Sequence, residues 1–266
     1  MRRNLIFLIL LFSAYAAVAQ GPEMVIPKPA SVLLTEGNYT YAEAPEVKVI
    51  YVKDRLAPEA YELSVTRRGV KIKVSSPSGE FYARQTLDQM TCGGRHKQIP
   101  CCEINDAPRF PYRGLHVDVS RHFRSVDFLK KQINAMAMFK MNRMHLHLTD
   151  AAGWRLQIDA YPRLTSFAAW RPQPAWKKWW AGKRLYADEG EEGSFGGYYT
   201  KEQMRELVEY ARERHIEVIP EIEMPSHSEE VLAAYPELGC SSQAYKDSDF
   251  CVGNEAVFEF LETVLT

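Results

Sequence analysis

Met141-Asn142-Arg143-Met144-His145-Leu146-His147-Leu148-Thr149-Asp150 is the stretch on which the fold turns. Met144, Leu146 and Leu148 alternate with His145 and His147, the period of an extended strand whose successive side chains point to opposite faces. On the N-terminal side, Asp127 to Lys140 has helical spacing, with Phe128, Ile133, Ala137 and Met138 available for its buried side, and Leu115 to Val119 before it reads as another strand. On the C-terminal side, Thr200-Lys201-Glu202-Gln203 has the spacing of a capping box and opens a helix through Leu207, Val208 and Ala211. Ile216 to Ile222 then supplies a third strand. Strands alternating with helices imply a parallel sheet, open or closed into a barrel.

Only about three such units fit before Thr266, whereas a closed barrel needs eight and typically about 250 residues of its own. Glu255 to Thr266 is a helical pattern with no terminating signal, so the chain is expected to be a fragment. From Val25 to about Pro108 the apolar runs are shorter and β-rich, as in Val47–Val52 and Val70–Val74. Glu80 to Met90 follows with helical spacing through Phe81, Leu87 and Met90, and Asn105-Asp106-Ala107-Pro108 with Pro111 marks a boundary. The fold class expected is α/β: an incomplete (β/α)8 TIM barrel over 109–266, preceded by a small α+β domain over 20–108.

Residues 1–19 combine Arg2 and Arg3, an apolar run from Leu5 to Phe12, and Ala14, Ala16, Ala17 and Ala19. This is the pattern of a signal peptide cleaved before Gln20, and the apolar run is short for a membrane span; an uncleaved anchor is the alternative. Export to a periplasmic or extracellular space, with no membrane span after cleavage, is therefore expected. Five cysteines follow, and Cys240 with Cys251 would close a short loop, although spacing does not fix the connectivity of Cys92, Cys101, Cys102, Cys240 and Cys251. They form no paired CxxC knuckles, which argues against structural zinc. With 33 Lys and Arg against 34 Asp and Glu, the formal net charge is -1. That balance offers no concentrated basic face for nucleic acid and turns attention to a small-molecule or carbohydrate site.

Polar residues gather at the C-terminal ends of all three strands: Asp118, Arg121 and His122, then His145, His147 and Asp150, then Glu221, Glu223 and His227. In parallel α/β folds that edge is where sites are assembled. His145 and His147 share a strand face, which suits either metal ligation or core histidines bonded to carboxylates; the latter is the expectation, with no metal and no cofactor. Arg121 presents a fork of donors for neighbouring sugar hydroxyls, or forms a structural ion pair with Asp118 or Asp150. Trp154, Trp170, Trp176, Trp179 and Trp180 fall in a long segment before the Thr200 helix, where indole faces suit sugar rings or burial against protein. Asp188-Glu189 and Glu191-Glu192 read as a solvated charge run.

Three ordered stretches resemble the family 20 glycoside hydrolases, the β-N-acetylhexosaminidases: Arg113 to Phe123 (RGLHVDVSRHF), Met141 to Asp150 with Gly153-Trp154-Arg155, and Glu221 to His227 (EIEMPSH). The resemblance implies that Arg121 grips hydroxyls of a terminal sugar, that Asp150 is the active-site aspartate, and that His227 supports the catalytic acid. His147, Glu223 and Trp154 are further candidates for substrate binding or support. In the family the acid is a Glu preceded by an Asp within a His-x-Gly-Gly-Asp-Glu stretch; none occurs here, so no catalytic residue is assigned in this chain and the pair is expected beyond Thr266. Ala151 stands where a second Asp is common, and Glu223-Met224-Pro225-Ser226 where Asp-Met-Pro-Gly is commoner.

By the same resemblance, the full-length parent hydrolyses terminal non-reducing N-acetylglucosamine or N-acetylgalactosamine from β-linked glycans. The acetamido oxygen of the substrate would attack the anomeric carbon, the Asp would hold the amide, and the Glu would protonate the leaving oxygen. The 266-residue chain alone is expected to be inactive. Two other readings remain open, a metal-dependent barrel hydrolase using His145 and His147, and a non-catalytic glycan-binding module built on the Trp-rich segment.

Overall fold

The computed structural model describes residues 21–40 and 47–266; the expected signal peptide over 1–19 lies outside the described residues. The chain divides into two compact units, one running up to Pro111 together with 137–140, the other comprising 112–136 and 141–266. The division thus falls three residues later than the 108/109 boundary expected from the prolines.

In the first unit, β1 (Ser31–Thr40), β2 (Val47–Tyr51), β3 (Tyr61–Thr66), β4 (Gly69–Val74) and β5 (Gln98–Asp106) form one sheet in the order β1-β5-β3-β4-β2. Its pairs are antiparallel except β2 with β4. Period-two alternation decides which face is buried: Tyr61, Leu63 and Val65 on β3 and Val70, Ile72 and Val74 on β4 are all in the core. The helix α1 (Pro77–Thr91) contributes Tyr82, Ala83, Leu87 and Met90 to the same cluster. It starts three residues before the expected Glu80, because Ser76 accepts from the Gly79 N–H as N-cap and Pro77 is pre-set for the first turn. This is the small α+β unit that the sequence implies.

In the second unit, β6 (Gly114–Asp118), β7 (Arg143–His147) and β10 (Glu217–Glu221) form a parallel sheet in the order β10-β7-β6. The helix α2 (Val126–Met138) connects the first two strands, and α5 (Lys201–Arg212) precedes β10 and packs on it. This is the strand-helix alternation of an α/β fold with barrel-type units. Met144 and Leu146 on one sheet face are fully buried, as are Leu129 and Ile133 of α2 and Leu207 and Ala211 of α5. Two helix assignments need correction. Met138 is 39% exposed and Val208 45% exposed, so the buried stripe of α2 runs through Leu129, Ile133, Met136 and Ala137, and that of α5 through Leu207 and Ala211. The capping box of α5 is formed: Thr200 accepts from the Gln203 N–H, and the Gln203 side chain accepts from the Thr200 N–H.

Between β7 and α5 the long segment carries two short helices, α3 (Arg163–Ser166) and α4 (Trp176–Ala181), and a two-residue antiparallel pair, β8 (Trp170–Arg171) and β9 (Phe195–Gly196). After β10 come α6 (Glu229–Ala234) and α7 (Glu255–Leu265). Val231, Leu232, Val257 and Phe260 from these helices pack with Trp154, Leu164 and Phe250 in one apolar cluster. Cys240 and Cys251 form a disulfide, while Cys92, Cys101 and Cys102 are free.

Candidate active site

Parallel register aligns Asp118, His147 and Glu221 in one row across β6, β7 and β10, with His116 and His145 in the row two residues earlier. Side chains two apart share a face, so the polar half of each alternating strand collects on the face opposite Met144 and Leu146. Asp118 then organises the chain that leaves β6: its Oδ1 accepts from the backbone N–H groups of Ser120 and Arg121, each at 3.0 Å. That turn brings Arg121 back over the strand ends, where Nη1 donates to Asp118 Oδ2 at 2.9 Å and Nη2 lies 2.5 Å from Asp150 Oδ2.

Asp150 is the junction. It is 1% exposed, and its Oδ2 lies 3.2 Å from His147 Nε2 while its Oδ1 lies 3.2 Å from His227 Nδ1. Burial alone would raise its carboxyl, but the hydrogen bond from His147, the Arg121 charge and the bond from His227 outweigh it and hold the group below the usual carboxylate range. His227 stands at φ 57° and keeps its side chain 54% exposed, so it carries Asp150's influence to the open side of the site. Burial would lower His147, yet its bonds to Asp150 and Glu221 and the nearby carboxylates push it up to about 9. Glu221, conversely, is held low, because His147, His145 and His116 overcome the effect of its partial burial. Glu223 is positioned by its backbone N–H, which donates to Thr149 Oγ1 at 2.8 Å, and its Oε1 lies 3.8 Å from His147 Nδ1.

Arg121, Asp150, His147, Glu223 and His227 are thus brought together. Trp154 is not: at 1% exposure it packs in the apolar cluster, with Nε1 donating to the Leu156 carbonyl, and no sugar reaches it without unpacking that core. His122 also stands apart, against the Phe195 ring. Of the other indoles, Trp179 is buried, whereas Trp176 is half-buried with its ring 5.8 Å from the Arg121 guanidinium carbon. The charge run at Asp188-Glu189 and Glu191-Glu192 is exposed.

Models built from known families then place the chain. That of the glycosyl hydrolase family 20 catalytic domain matches residues 110–266, and that of the family's domain 2 matches 35–107. The chain belongs to glycosyl hydrolase family 20. It is 40% identical over 243 residues to a beta-hexosaminidase of Porphyromonas gingivalis, covering 84% of this chain and 29% of that protein. A beta-hexosaminidase of Akkermansia muciniphila is 38% identical over 240 residues, covering 87% of this chain and 44% of the relative. The chain therefore spans less than half the length of these curated relatives. Among solved structures, the family 20 exo-β-N-acetylglucosaminidase of Vibrio harveyi, in complex with N-acetylglucosamine, superposes with a TM-score of 0.77 at 27% identity, covering 94% of this chain and 45% of that one.

Within this family 20 site, several residues escape a reading of strand ends. Arg155 is fully buried and donates to five backbone carbonyls, among them Val119 at 3.1 Å and Ser120 at 2.6 Å, which fixes the segment that delivers Arg121. Arg171 donates to the Arg121 carbonyl at 2.7 Å and the Ala152 carbonyl at 2.9 Å. Gly153 is required beside them: at φ 155° a Cβ there would collide with the Arg155 guanidinium. The Ser120 hydroxyl lies within hydrogen-bond distance of the Asp150 and Gly153 carbonyls. Apart from the Gly153–Arg155 approach, nothing in local spacing announces these contacts, since they join segments 19 to 50 residues apart.

Proposed function

We propose that this chain carries the sugar-gripping part of a β-N-acetylhexosaminidase site, acting on glycans that end in N-acetylglucosamine or N-acetylgalactosamine. The observation that carries the reading is Asp150, a buried carboxylate joining Arg121 on one side to His227 on the other. In this reading Arg121, oriented by Asp118 and Asp150, turns its remaining N–H donors to two hydroxyls of the terminal sugar. His227, polarised through Asp150, stands on the open side to tune the general acid. Supplied with the Asp-Glu pair that the family resemblance calls for, such a site removes the terminal sugar with retention, the substrate acetamide acting as nucleophile. His147, whose Nε2 lies between Asp150 and Arg121, supports both.

Export to an oxidising compartment belongs to the same proposal, supported by the Arg-led apolar N-terminus and the Cys240–Cys251 pairing. The 266-residue chain, which contains no His-x-Gly-Gly-Asp-Glu stretch, is proposed to bind the sugar without turning it over. Calorimetric titration with N-acetylglucosamine, alongside nitrophenol release from the nitrophenyl β-glycoside, tests both parts. Saturable binding that weakens about tenfold or more in Arg121→Ala and Asp150→Asn is expected, with no release. Binding that ignores both substitutions removes the sugar-gripping role, and release by the purified chain removes the claim of inactivity.

A further inference from the structure

We propose that the cavity lined by Lys183, Arg184 and Lys246, beside the sugar site, receives an oxyanion group carried by the sugar to which the terminal N-acetylhexosamine is linked. The inference rests on the sugar-gripping reading above and adds to it a preference for acidic glycans. The cavity measures about 280 Å³, close to the lower end of the volumes of small-molecule sites. Its walls come from two segments, 182–186 and 245–248, and from Glu229 at the start of α6.

Three contacts make this cavity a neighbour of the Arg121–Asp150–His227 cluster. The Tyr186 hydroxyl donates to the Ala151 carbonyl at 2.6 Å, which ties one wall to the residue that follows Asp150. Glu229 stands two residues after His227, and the charges of His227 and Asp150 both reach its carboxyl. The Trp176 ring lies 5.8 Å from the Arg121 guanidinium carbon and 5.1 Å from the Trp180 ring, over which the Arg184 guanidinium sits at 3.8 Å. A glycan whose terminal ring is held by Arg121 therefore has Arg184 and its cavity on the far side of two indoles.

Charge decides what the cavity takes. Lys183 and Lys246 are exposed and form no ion pair among the described residues. The Arg184 side chain is 41% exposed and meets Glu229 Oε1 only at 3.5 Å. The two carboxylates of the lining, by contrast, are turned inward. Asp247 Oδ2 accepts from the Ser241 N–H at 2.9 Å and from its hydroxyl at 2.6 Å. The Glu229 side chain is 16% exposed, and its Oε2 is buried without a hydrogen bond. Burial pushes this carboxyl above its ordinary range, which weakens it further as a counter-charge. Solvent thus meets the three cations and little of the two acids. Arg184, laid over the Trp180 ring, presents a planar fork of the kind that holds an oxyanion through two parallel bonds. Tyr245, 50% exposed and stacked on the buried Tyr186 ring at 6.2 Å, offers an aromatic face to the sugar that carries the acid. The walls are also in place before a ligand arrives: the Cys240–Cys251 disulfide closes the segment bearing Tyr245 and Lys246, and the Ser248 carbonyl accepts from the Ser228 N–H at 3.1 Å.

The test titrates the purified chain by calorimetry with two matched pairs of disaccharides. One pair is N-acetylglucosamine β-linked to glucuronic acid and the methyl ester of the same compound, which keeps both rings and removes the charge. The other is N,N'-diacetylchitobiose with and without a 6-sulfate on its reducing sugar. The charged member is expected to bind about tenfold more tightly at low salt, with the gap narrowing as sodium chloride is raised. Arg184→Gln and Lys246→Gln should each shrink the gap about threefold and together close it, while N-acetylglucosamine binds the variants as it binds the parent. Lys177→Gln, at an exposed lysine of α4 outside the cavity, should leave the gap whole. A gain in one pair alone names the anion as carboxylate or sulfate and supports the site. No gain in either pair overturns it, as does a gap that survives the double variant or that Lys177→Gln shrinks equally. If N-acetylglucosamine binds through Arg121 while neither pair shows a gap, this inference alone fails; if no sugar binds at all, the sugar-gripping reading fails with it.

Discussion

Replacing Arg155 with lysine should bring the second unit close to unfolding, although charge and general shape are kept. The guanidinium donates from Nε to the Val119 carbonyl at 3.1 Å, from Nη1 to Ala169 at 2.5 Å and Gly197 at 2.9 Å, and from Nη2 to Ser120 at 2.6 Å and Ala152 at 3.4 Å. Ala169 also receives the Gly197 N–H and Ala152 also receives Arg171, so those two acceptors survive the change. Val119, Ser120 and Gly197 lie around three different corners of the fork, and one ammonium, with three hydrogens on a single nitrogen, cannot reach all of them. At least two charge-assisted bonds are lost, at about 1.5–3 kcal/mol each. The sum is about 3–6 kcal/mol, against a total stability of about 5–15 kcal/mol for a domain. Burial pulls the arginine down to about 9, which still leaves it charged at neutral pH, so the parent pays no deprotonation cost there. All five tryptophans lie between 154 and 180, so urea unfolding followed by indole fluorescence reports on this unit alone. A lysine variant within about 1 kcal/mol of the parent would refute the reasoning that these carbonyls depend on the fork.

Three further outcomes follow from particular contacts. Burial, with the charges of Asp150 and Glu229 adding to it, keeps the Glu230 carboxyl well above its ordinary value, so the folded chain holds this proton to higher pH than the unfolded chain does. Its stabilising effect is therefore intact below the ordinary carboxylate range and falls as pH rises above it, by about 1.4 kcal/mol per pH unit until the folded form titrates. Glu230→Gln should gain in melting temperature over the parent between about pH 4 and pH 7, and a constant offset across that range would contradict the assignment. Cys240→Ser opens a loop with a sequence separation of 11, for which chain entropy gives about 3 kcal/mol; a loss under about 1 kcal/mol in urea unfolding would show that the loop is held by other contacts. Thr200→Ala removes the acceptor for the Gln203 N–H and should cost about 1 kcal/mol, read in the same experiment, whereas an unchanged midpoint would mean that solvent satisfies that group.

The alternation of Met144, Leu146 and Leu148 with His145 and His147 was enough to read β7 and to predict that both histidines share a face, because period two depends only on local backbone geometry. Parallel register then does the rest: once β6, β7 and β10 pair in line, Asp118, His147 and Glu221 must fall in one row. The pairing of the histidines with a carboxylate was legible as a kind of contact, and the Glu221 partner was present among the strand-end residues. What spacing does not carry is the identity of side chains that answer to distant backbone. Arg155 looked like part of a motif and proved to be a hub for carbonyls up to 42 residues away. Trp154 was offered to the sugar because indoles stack on rings, but the helices α6 and α7, which bury it, arrive some 80 to 110 residues later. Met138 and Val208 erred for a related reason: helical spacing shows that a stripe exists, while its width is set by the partner surface.

The buried cations of the second unit divide their partners by kind, and the site depends on that division. Arg155 and Arg171, both fully buried, donate to backbone carbonyls: Val119, Ser120, Ala152, Ala169 and Gly197 for the first, Ala152, Arg121, Gln173 and Pro174 for the second. Burial disfavours the charge on both, and the Arg171 charge lowers Arg155 further, a cost met by many aligned carbonyl dipoles instead of a counter-ion. Asp150 pairs with Arg121, His147 and His227, and Asp118 with the turn that delivers Arg121. The scaffold arginines therefore fix where the loops are, and the carboxylates remain to fix how Arg121 points, which is the separation a pocket needs if its gripping residue is to meet a ligand without losing its place in the fold.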